Sequence, residues 1–108
     1  MVELAAAKQT FSDKVWAACK KIPAGKVSTY AGIANAVGNP RASRAVGNAL
    51  NKSPGMPHVP CHRVVKSGGG LGGFAKGAKE KSRLLAREGV LAVAGRVPDL
   101  GKRLFKDF

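Results

Sequence analysis

Apolar residues first recur with helical spacing at Phe11, Val15, Ala18, Cys19 and Ile22, which predicts an amphipathic helix. Thr10 or Ser12 supplies its N-cap, and Asp13 in the first turn suits the positive end of the helix dipole. Trp16 falls off the stripe and covers its edge. Residues 1 to about 9 read as a loosely packed leader. Ile22-Pro23-Ala24-Gly25-Lys26 is a turn: the proline stops the helix and the glycine supplies a permissive φ. A second helix follows, capped by Ser28 or Thr29, burying Ile33, Ala34 and Val37. Gly38-Asn39-Pro40 ends it, and a third helix runs from near Arg41 to about Asn51. Residues 52–58 are rich in breakers and form a loop. Val64-Val65, both β-branched, begin a short buried strand. A last long helix spans about 78–87, with Leu84 and Leu85 buried and Gly89 past its end. Residues 90–97 alternate weakly around Gly95-Arg96, a small hairpin. The tail from Leu100 to Phe108 folds back on the core. The fold class expected is mostly α with short β elements, in one domain over residues 1–108.

Charge sharpens this picture. The 108 residues carry 19 Lys and Arg against 6 Asp and Glu, a formal charge of +13, and no acid occurs between Asp13 and Glu80. A field of that sign attracts a polyanion, with nucleic acid the first reading. A surface merely kept soluble by lysine, or an anionic membrane surface, is the alternative. Two short helices joined by Gly-Asn-Pro, the second carrying Arg41 and Arg44, make a helix-turn-helix, here winged-helix-like. In that second helix Ala42, Ser43, Ala45, Gly47, Asn48 and Ala49 are small. A slim helix with few long arms favours the minor groove over base readout in the major groove. The same small residues could instead serve close packing inside the protein. At 44% hydrophobic the chain is globular, and no apolar run is long enough to span a membrane. Two cysteines give no disulfide framework, which suits a reducing compartment, and a cytoplasmic or nuclear location is expected.

Candidate chemistry gathers at Val59-Pro60-Cys61-His62-Arg63-Val64-Val65. Pro60 stiffens the backbone before Cys61. A free thiol has a pKa of about 8.5, so it needs a base or a cationic neighbour to become a nucleophile. His62 is the candidate base. On extended chain adjacent side chains point to opposite faces, so a bridging water is one route between them. The competing reading is a buried, inert cysteine beside a satisfied core histidine. Cys19 lies in the apolar stripe and reads as packing, and His58 as a loop histidine near solvent. Cys19, His58, Cys61 and His62 lack zinc-ligand spacing, so no metal is expected. Glu88 at a helix C-terminus faces an unfavourable dipole and needs a cationic partner. His62 is one candidate; Lys81 and Arg87 are others. Residues 66–77 hold six glycines in twelve positions, which lets backbone approach a ligand, with Phe74 as a flat ring among them. The alternative there is a flexible hairpin tip.

These stretches together resemble the C-terminal, active domain of the O6-alkylguanine-DNA alkyltransferases, from about Phe11 to Gly89. Pro60-Cys61-His62-Arg63-Val64-Val65 is the most specific part. Residues 22–30, Gly38-Asn39-Pro40-Arg41, Arg44-Ala45-Val46-Gly47 and Leu84-Leu85-Ala86-Arg87-Glu88-Gly89 support it. The resemblance implies a helix-turn-helix in the minor groove of duplex DNA, with Arg41, Ala42, Ser43 and Gly47 at the interface. It implies that Arg44 inserts where the damaged guanine is flipped out, and that Tyr30 crowds the neighbouring phosphate. It implies that Glu88 orients His62, that His62 takes the Cys61 proton through water, and that the thiolate attacks the O6-alkyl carbon while Tyr30 protonates the base. Ser53, Val59, Gly72, Gly73, Phe74 and Ala75 would line the substrate pocket. No cofactor is implied, and a monomer is expected.

Three departures stand out. The family usually has Asn where Ser53 stands, bracing the active-site turn; serine is shorter, and Asn51 is a candidate substitute. Tyrosine and serine are common where this chain has Phe74 and Ala75, so a hydroxyl that could bond O6 is lost. The usual N-terminal domain is missing, as in a minimal form. The alternative within the resemblance is an alkyltransferase-like sensor that binds the lesion without chemistry, though such proteins typically replace the reactive cysteine. A plain helix-turn-helix regulator leaves residues 60–65 and Glu88 without a role.

Overall fold

The computed structural model describes residues 10–55, 58–74 and 76–108. The leader expected over residues 1–9 and the pocket position Ala75 lie outside them. Helix α1 spans Phe11–Lys20. Thr10 is its N-cap: the hydroxyl accepts from Asp13 N–H, and the Asp13 carboxylate accepts from Thr10 N–H, a closed capping box. Val15, Ala18, Cys19 and Ile22 are buried, and Phe11 packs against them from the rim. Trp16 covers the stripe and donates from Nε1 to Ala49 O at 2.9 Å.

Strand β1, Ser28–Thr29, runs directly into helix α2, Tyr30–Ala36. Thr29 caps that helix through Gly32 N–H at 2.9 Å, while Ser28 is buried in the strand. After the turn at Gly38, helix α3 spans Ser43–Asn51. It starts two residues later than the sequence suggests, so Arg41 and Ala42 belong to the turn. Helices α2 and α3 form the helix-turn-helix, with α1 packed on both. Val46, Ala49 and Leu50 face the core; Arg44, Ala45 and Asn48 face out.

The chain then reaches a 3-10 turn, Cys61–Arg63, and strand β2, Val64–Val65. Sequence suggests extended chain at Cys61; the turn instead closes on itself, with Arg63 N–H bonding Pro60 O. Strands β1 and β2 pair in parallel, Ser28 with Val64 and Thr29 with Val65. Alternation along β2 splits the core: Val64 joins the cluster under α1 to α3, and Val65 joins Val27, Leu71, Leu85, Val90 and Val97.

Helix α4, Ala78–Arg87, buries Leu85, with Gly89 beyond its end at φ +84°. Leu84 is only half-buried and serves a cavity wall, not the core. The hairpin expected over 90–97 is reduced to isolated bridges, Val93 to Arg96 and Gly70 to Arg96. Helix α5, Leu100–Arg103, leads into a tail that does fold back: Leu104 bridges Val27, and Phe105 and Phe108 pack on the first cluster. Among the described residues no helix is long and apolar enough to cross a membrane.

Candidate active site and nucleic-acid face

A cavity of about 490 Å³ opens between α3 and α4. Tyr30, Ser43, Arg44 and Gly47 line one side, Gly73, Phe74 and Leu84 the other, and Cys61 and Ser53 also reach it. Cys61 is only 7% exposed, and it lines this space. The helix that would meet a polyanion and the residue that would do chemistry therefore share one wall.

Three neighbours shape the sulfur. Ser53 Oγ hydrogen-bonds Cys61 Sγ directly and also accepts from Gly55 N–H at 3.3 Å. Leu50 O, in the last turn of α3, accepts from Sγ at 3.5 Å. Cys19 sits just behind, its own thiol donating to Pro60 O at 3.3 Å. The Cys19 thiol turned toward Cys61 is the main influence pulling the Cys61 pKa down to about 7. Burial opposes it; the Ser53 hydroxyl, a backbone N–H and the charge of Lys81 reinforce it. Cys19 is pushed up in turn, chiefly by sharing that hydrogen bond and by burial. Cys19 therefore packs in the core as expected and also bears on the charge of Cys61.

Behind the sulfur, away from the cavity lining, His62 is 1% exposed and Glu88 caps the end of α4. His62 Nε2 lies 3.1 Å from Glu88 Oε2, within charge contact but too bent for a linear hydrogen bond. Nδ1 is buried with no partner among the described residues. Burial holds His62 below the usual imidazole range despite Glu88, so it is neutral and able to accept a proton. Burial would raise the Glu88 carboxyl, yet the hydrogen bonds from Arg63, with His62 alongside, outweigh it and hold it low. Arg63 grips both carboxylate oxygens, at 2.9 and 2.5 Å, and donates to Ile22 O at 2.8 Å. The cation that offsets the helix dipole at Glu88 is thus Arg63, with the neutral His62 ring alongside, and neither Lys81 nor Arg87.

Tyr30 packs at the head of α2 and donates to Gly73 O at 3.2 Å. Gly72 lies behind that ring at φ +76°, where a Cβ would come 2.7 Å from the Tyr30 oxygen. Gly72 therefore backs the wall without lining it. Val59 was also expected in the pocket, but it is 1% exposed and belongs to the core beneath. Ser53, Gly73 and Phe74, expected in the pocket, line the cavity, and Ser43 and Gly47, expected at the DNA interface, line it as well. Arg44 is exposed at the mouth, in the first turn of α3; Arg41 is exposed in the preceding turn, and Ala42 packs inward. Asn51 lines the cavity, but Ser53 itself makes the contact with Cys61. His58 is exposed. Among the described residues no three His, Cys, Asp or Glu side chains gather as a metal site.

Sequence reasoning missed Lys81. It is fully buried, and its ammonium donates to Val64 O at 2.6 Å, to Tyr30 Oη at 3.3 Å and to Gly73 O at 3.3 Å. Nothing in the charge pattern of α4 separates it from Lys79 or Arg83.

Fold and site together define a helix-turn-helix domain that carries a primed cysteine at the bottom of a cleft beside its recognition helix. The chain belongs to the family described as 6-O-methylguanine DNA methyltransferase, DNA binding domain, whose pattern matches residues 10–90. A methylated-DNA–protein-cysteine methyltransferase of Methanosarcina acetivorans is 49% identical over 88 residues, 82% of this chain and 56% of that protein. One of Salmonella typhimurium is 42% identical over 90 residues, 83% of this chain and 53% of that protein. The chain thus spans about half the length of the curated relatives it matches. Among solved structures, S. pombe Atl1 in complex with damaged DNA containing O6-carboxymethylguanine superposes with a TM-score of 0.78 at 36% identity. That match covers 89% of this chain and 94% of Atl1. Mycobacterium tuberculosis OGT in complex with DNA gives 0.71 at 42% identity, covering 73% of this chain and 48% of that one.

Proposed function

We propose that this domain repairs DNA by moving the alkyl group of an O6-alkylguanine onto Cys61, once per molecule. The observation that carries the reading is the Cys61 thiol on a cleft beside Arg44, with the His62–Glu88 pair set at the adjoining residue. The duplex lies against α3, whose outward residues Arg44, Ala45 and Asn48 are slim enough for the minor groove. Arg44 enters the stack and the lesion turns out into the cavity, because a thiol cannot reach O6 inside the duplex. His62, neutral and steadied by Glu88, accepts the Cys61 proton through a water at Nδ1. The sulfur lone pair forms the S–C bond as the C–O bond breaks. The electron pair stays with guanine, which takes a proton from Tyr30. The product is a thioether, and nothing in the site removes it. The domain acts as a monomer, without cofactor, wherever the cell keeps its DNA.

The test is direct. Incubated with a duplex containing O6-methylguanine, the protein gains the mass of one methyl on the peptide that holds Cys61. Cys61→Ala keeps lesion binding and loses the mass gain. A second reading, lesion binding without transfer, draws on the match along nearly the whole of Atl1. Binding with no mass gain by the wild-type chain selects it and rejects the first.

A further inference from the structure

Alkyl transfer to Cys61 leaves a second sulfur unused. Cys19, in the last turn of α1, is 0% exposed, yet its thiol is aimed at the reactive one. It donates at 3.3 Å to Pro60 O, the carbonyl joined to the nitrogen of Cys61, and it shares a hydrogen bond with Cys61 Sγ. The same two segments are pinned again where Arg63 donates to Ile22 O at 2.8 Å. The end of α1 and the 3-10 turn therefore hold two thiols against each other. The chain has no other cysteine, and both are free.

Their surroundings differ in the way a switchable pair requires. Cys61 lines the cleft with its pKa drawn down to about 7, so a small oxidant that enters meets a thiolate. Cys19 has no surface of its own, so a dissolved oxidant or thiol does not reach it directly. Its natural reaction partner is the sulfur beside it.

We propose that Cys61 and Cys19 form a reversible disulfide, closed by a hydroperoxide that enters the cleft, and that closure withdraws Cys61 from alkyl transfer. The bond itself needs nothing from the repair reading; only its effect on transfer rests on it. Closure takes two balanced steps. The Cys61 thiolate attacks a peroxide oxygen, the O–O bond breaks, and the departing oxide takes a proton from solvent and leaves as water or an alcohol. The sulfur loses two electrons, the peroxide gains them, and Cys61 becomes a sulfenic acid. The Cys19 sulfur then attacks the Cys61 sulfur. The S–S bond forms, the S–O bond breaks, and the hydroxide takes the Cys19 proton and leaves as water. A dithiol reopens the bond by exchange.

Cys19 is already in contact when the oxidant arrives, so it needs no encounter, whereas a second peroxide does. Its acidity is suppressed first by the hydrogen bond with Cys61, then by burial and by the charge on Cys61, against the pull of Arg63 and Lys81. A neutral sulfenic acid removes that charge, so Cys19 gives up its proton more readily once Cys61 is oxidised.

The reduced chain is treated with hydrogen peroxide, quenched with catalase, unfolded in N-ethylmaleimide and weighed. The wild type loses two hydrogens and takes up no maleimide. A tryptic digest joins the peptide holding Cys19 to the one holding Cys61, and dithiothreitol restores both thiols. Cys19→Ala instead gains oxygen on Cys61, and dithiothreitol does not restore its reaction with iodoacetamide, because a sulfinic acid is beyond thiol reduction. Circular dichroism checks folding, and Cys19→Val takes the place of an alanine variant that does not fold. Oxygen on Cys61 beside a free Cys19 in the wild type overturns the proposal. So does a disulfide between two chains, or a Cys61 that hydrogen peroxide leaves untouched. Methyl transfer from an O6-methylguanine duplex is lost in the bridged chain and returns in full with dithiothreitol; undiminished transfer by the bridged chain overturns the proposal. Transfer by a chain that forms no internal disulfide rejects the pair alone. An internal disulfide in a chain that never transfers, even when reduced, supports the pair and rejects the repair reading.

Discussion

Ser53 is shorter than the asparagine usual at its position, yet its hydroxyl reaches the Cys61 sulfur directly. It does so because the loop after α3 turns tightly, with Gly55 at φ +71° and its N–H on Ser53 Oγ. With the Cys61 pKa near 7, about half the protein carries a thiolate at neutral pH. The folded value lies below the ordinary thiol value, so the charged form grows as pH rises. Alkylation of Cys61 by iodoacetamide should therefore fall about tenfold per unit below pH 7 and level off above pH 8. Ser53→Ala removes one lowering influence, so the midpoint should move up and the rate at pH 7 should drop severalfold; an unmoved midpoint leaves Ser53 without a role at the sulfur. At this scale the sequence was generous about Cys61, His62 and Glu88, because a thiol, an imidazole and a misplaced carboxylate each stand out chemically. It offered Lys81 only as a partner for Glu88, and it was silent about Arg63 as the grip on that carboxylate. A lysine or arginine in a chain of 19 looks like surface, and only the cavity shows which one is inside. Val59 was misassigned for a related reason: position next to a reactive residue says nothing about which side of the wall a β-branched side chain takes.

Among the elements, helix ends were legible to within two residues. Thr10 with Asp13, Thr29 before α2 and Gly89 after α4 are local chemistry, decided by neighbours three or four positions away. Breaking the Thr10 cap with alanine should cost about 1 kcal/mol and lower the melting temperature by a few degrees. Thermal unfolding followed by circular dichroism reads it, and transfer at low temperature should be unchanged. What stayed illegible needed partners far along the chain. Ser28–Thr29 pairs in parallel with Val64–Val65, which follows it in the chain only after the whole of α2 and α3. The 3-10 turn at Cys61–Arg63 is fixed by Pro60 and by Arg63 reaching Glu88 and Ile22. Gly72 is the clearest case of an element whose reason is tertiary. Gly72→Ala meets both a left-handed φ and the Tyr30 oxygen, so it should destabilise by about 1–3 kcal/mol and displace the ring. Tyr30 titration in that variant reports the displacement; an unmoved titration with full stability shows that the loop gives way.

For the whole molecule, the charge of +13 was readable at once, but its use was not. The structure sets Arg44 and Lys76 around one cleft, so part of that charge lies beside the chemistry. Affinity for a duplex should fall linearly in log terms with salt, by about 0.9 per phosphate neutralised. Arg44→Ala, at the mouth, should weaken lesion capture more than binding to undamaged duplex; equal losses would make it an ordinary phosphate contact. Filter binding across a salt series separates these outcomes.

One feature near the recognition helix has a practical use. The chain holds a single tryptophan, carried on α1, and its indole N–H is fastened to a carbonyl of α3 while its ring packs against the first core cluster. Emission from Trp16 should shift or quench as a duplex seats against α3. Arrival on DNA can thus be timed in unlabelled protein by stopped flow, separately from the proposed transfer to Cys61.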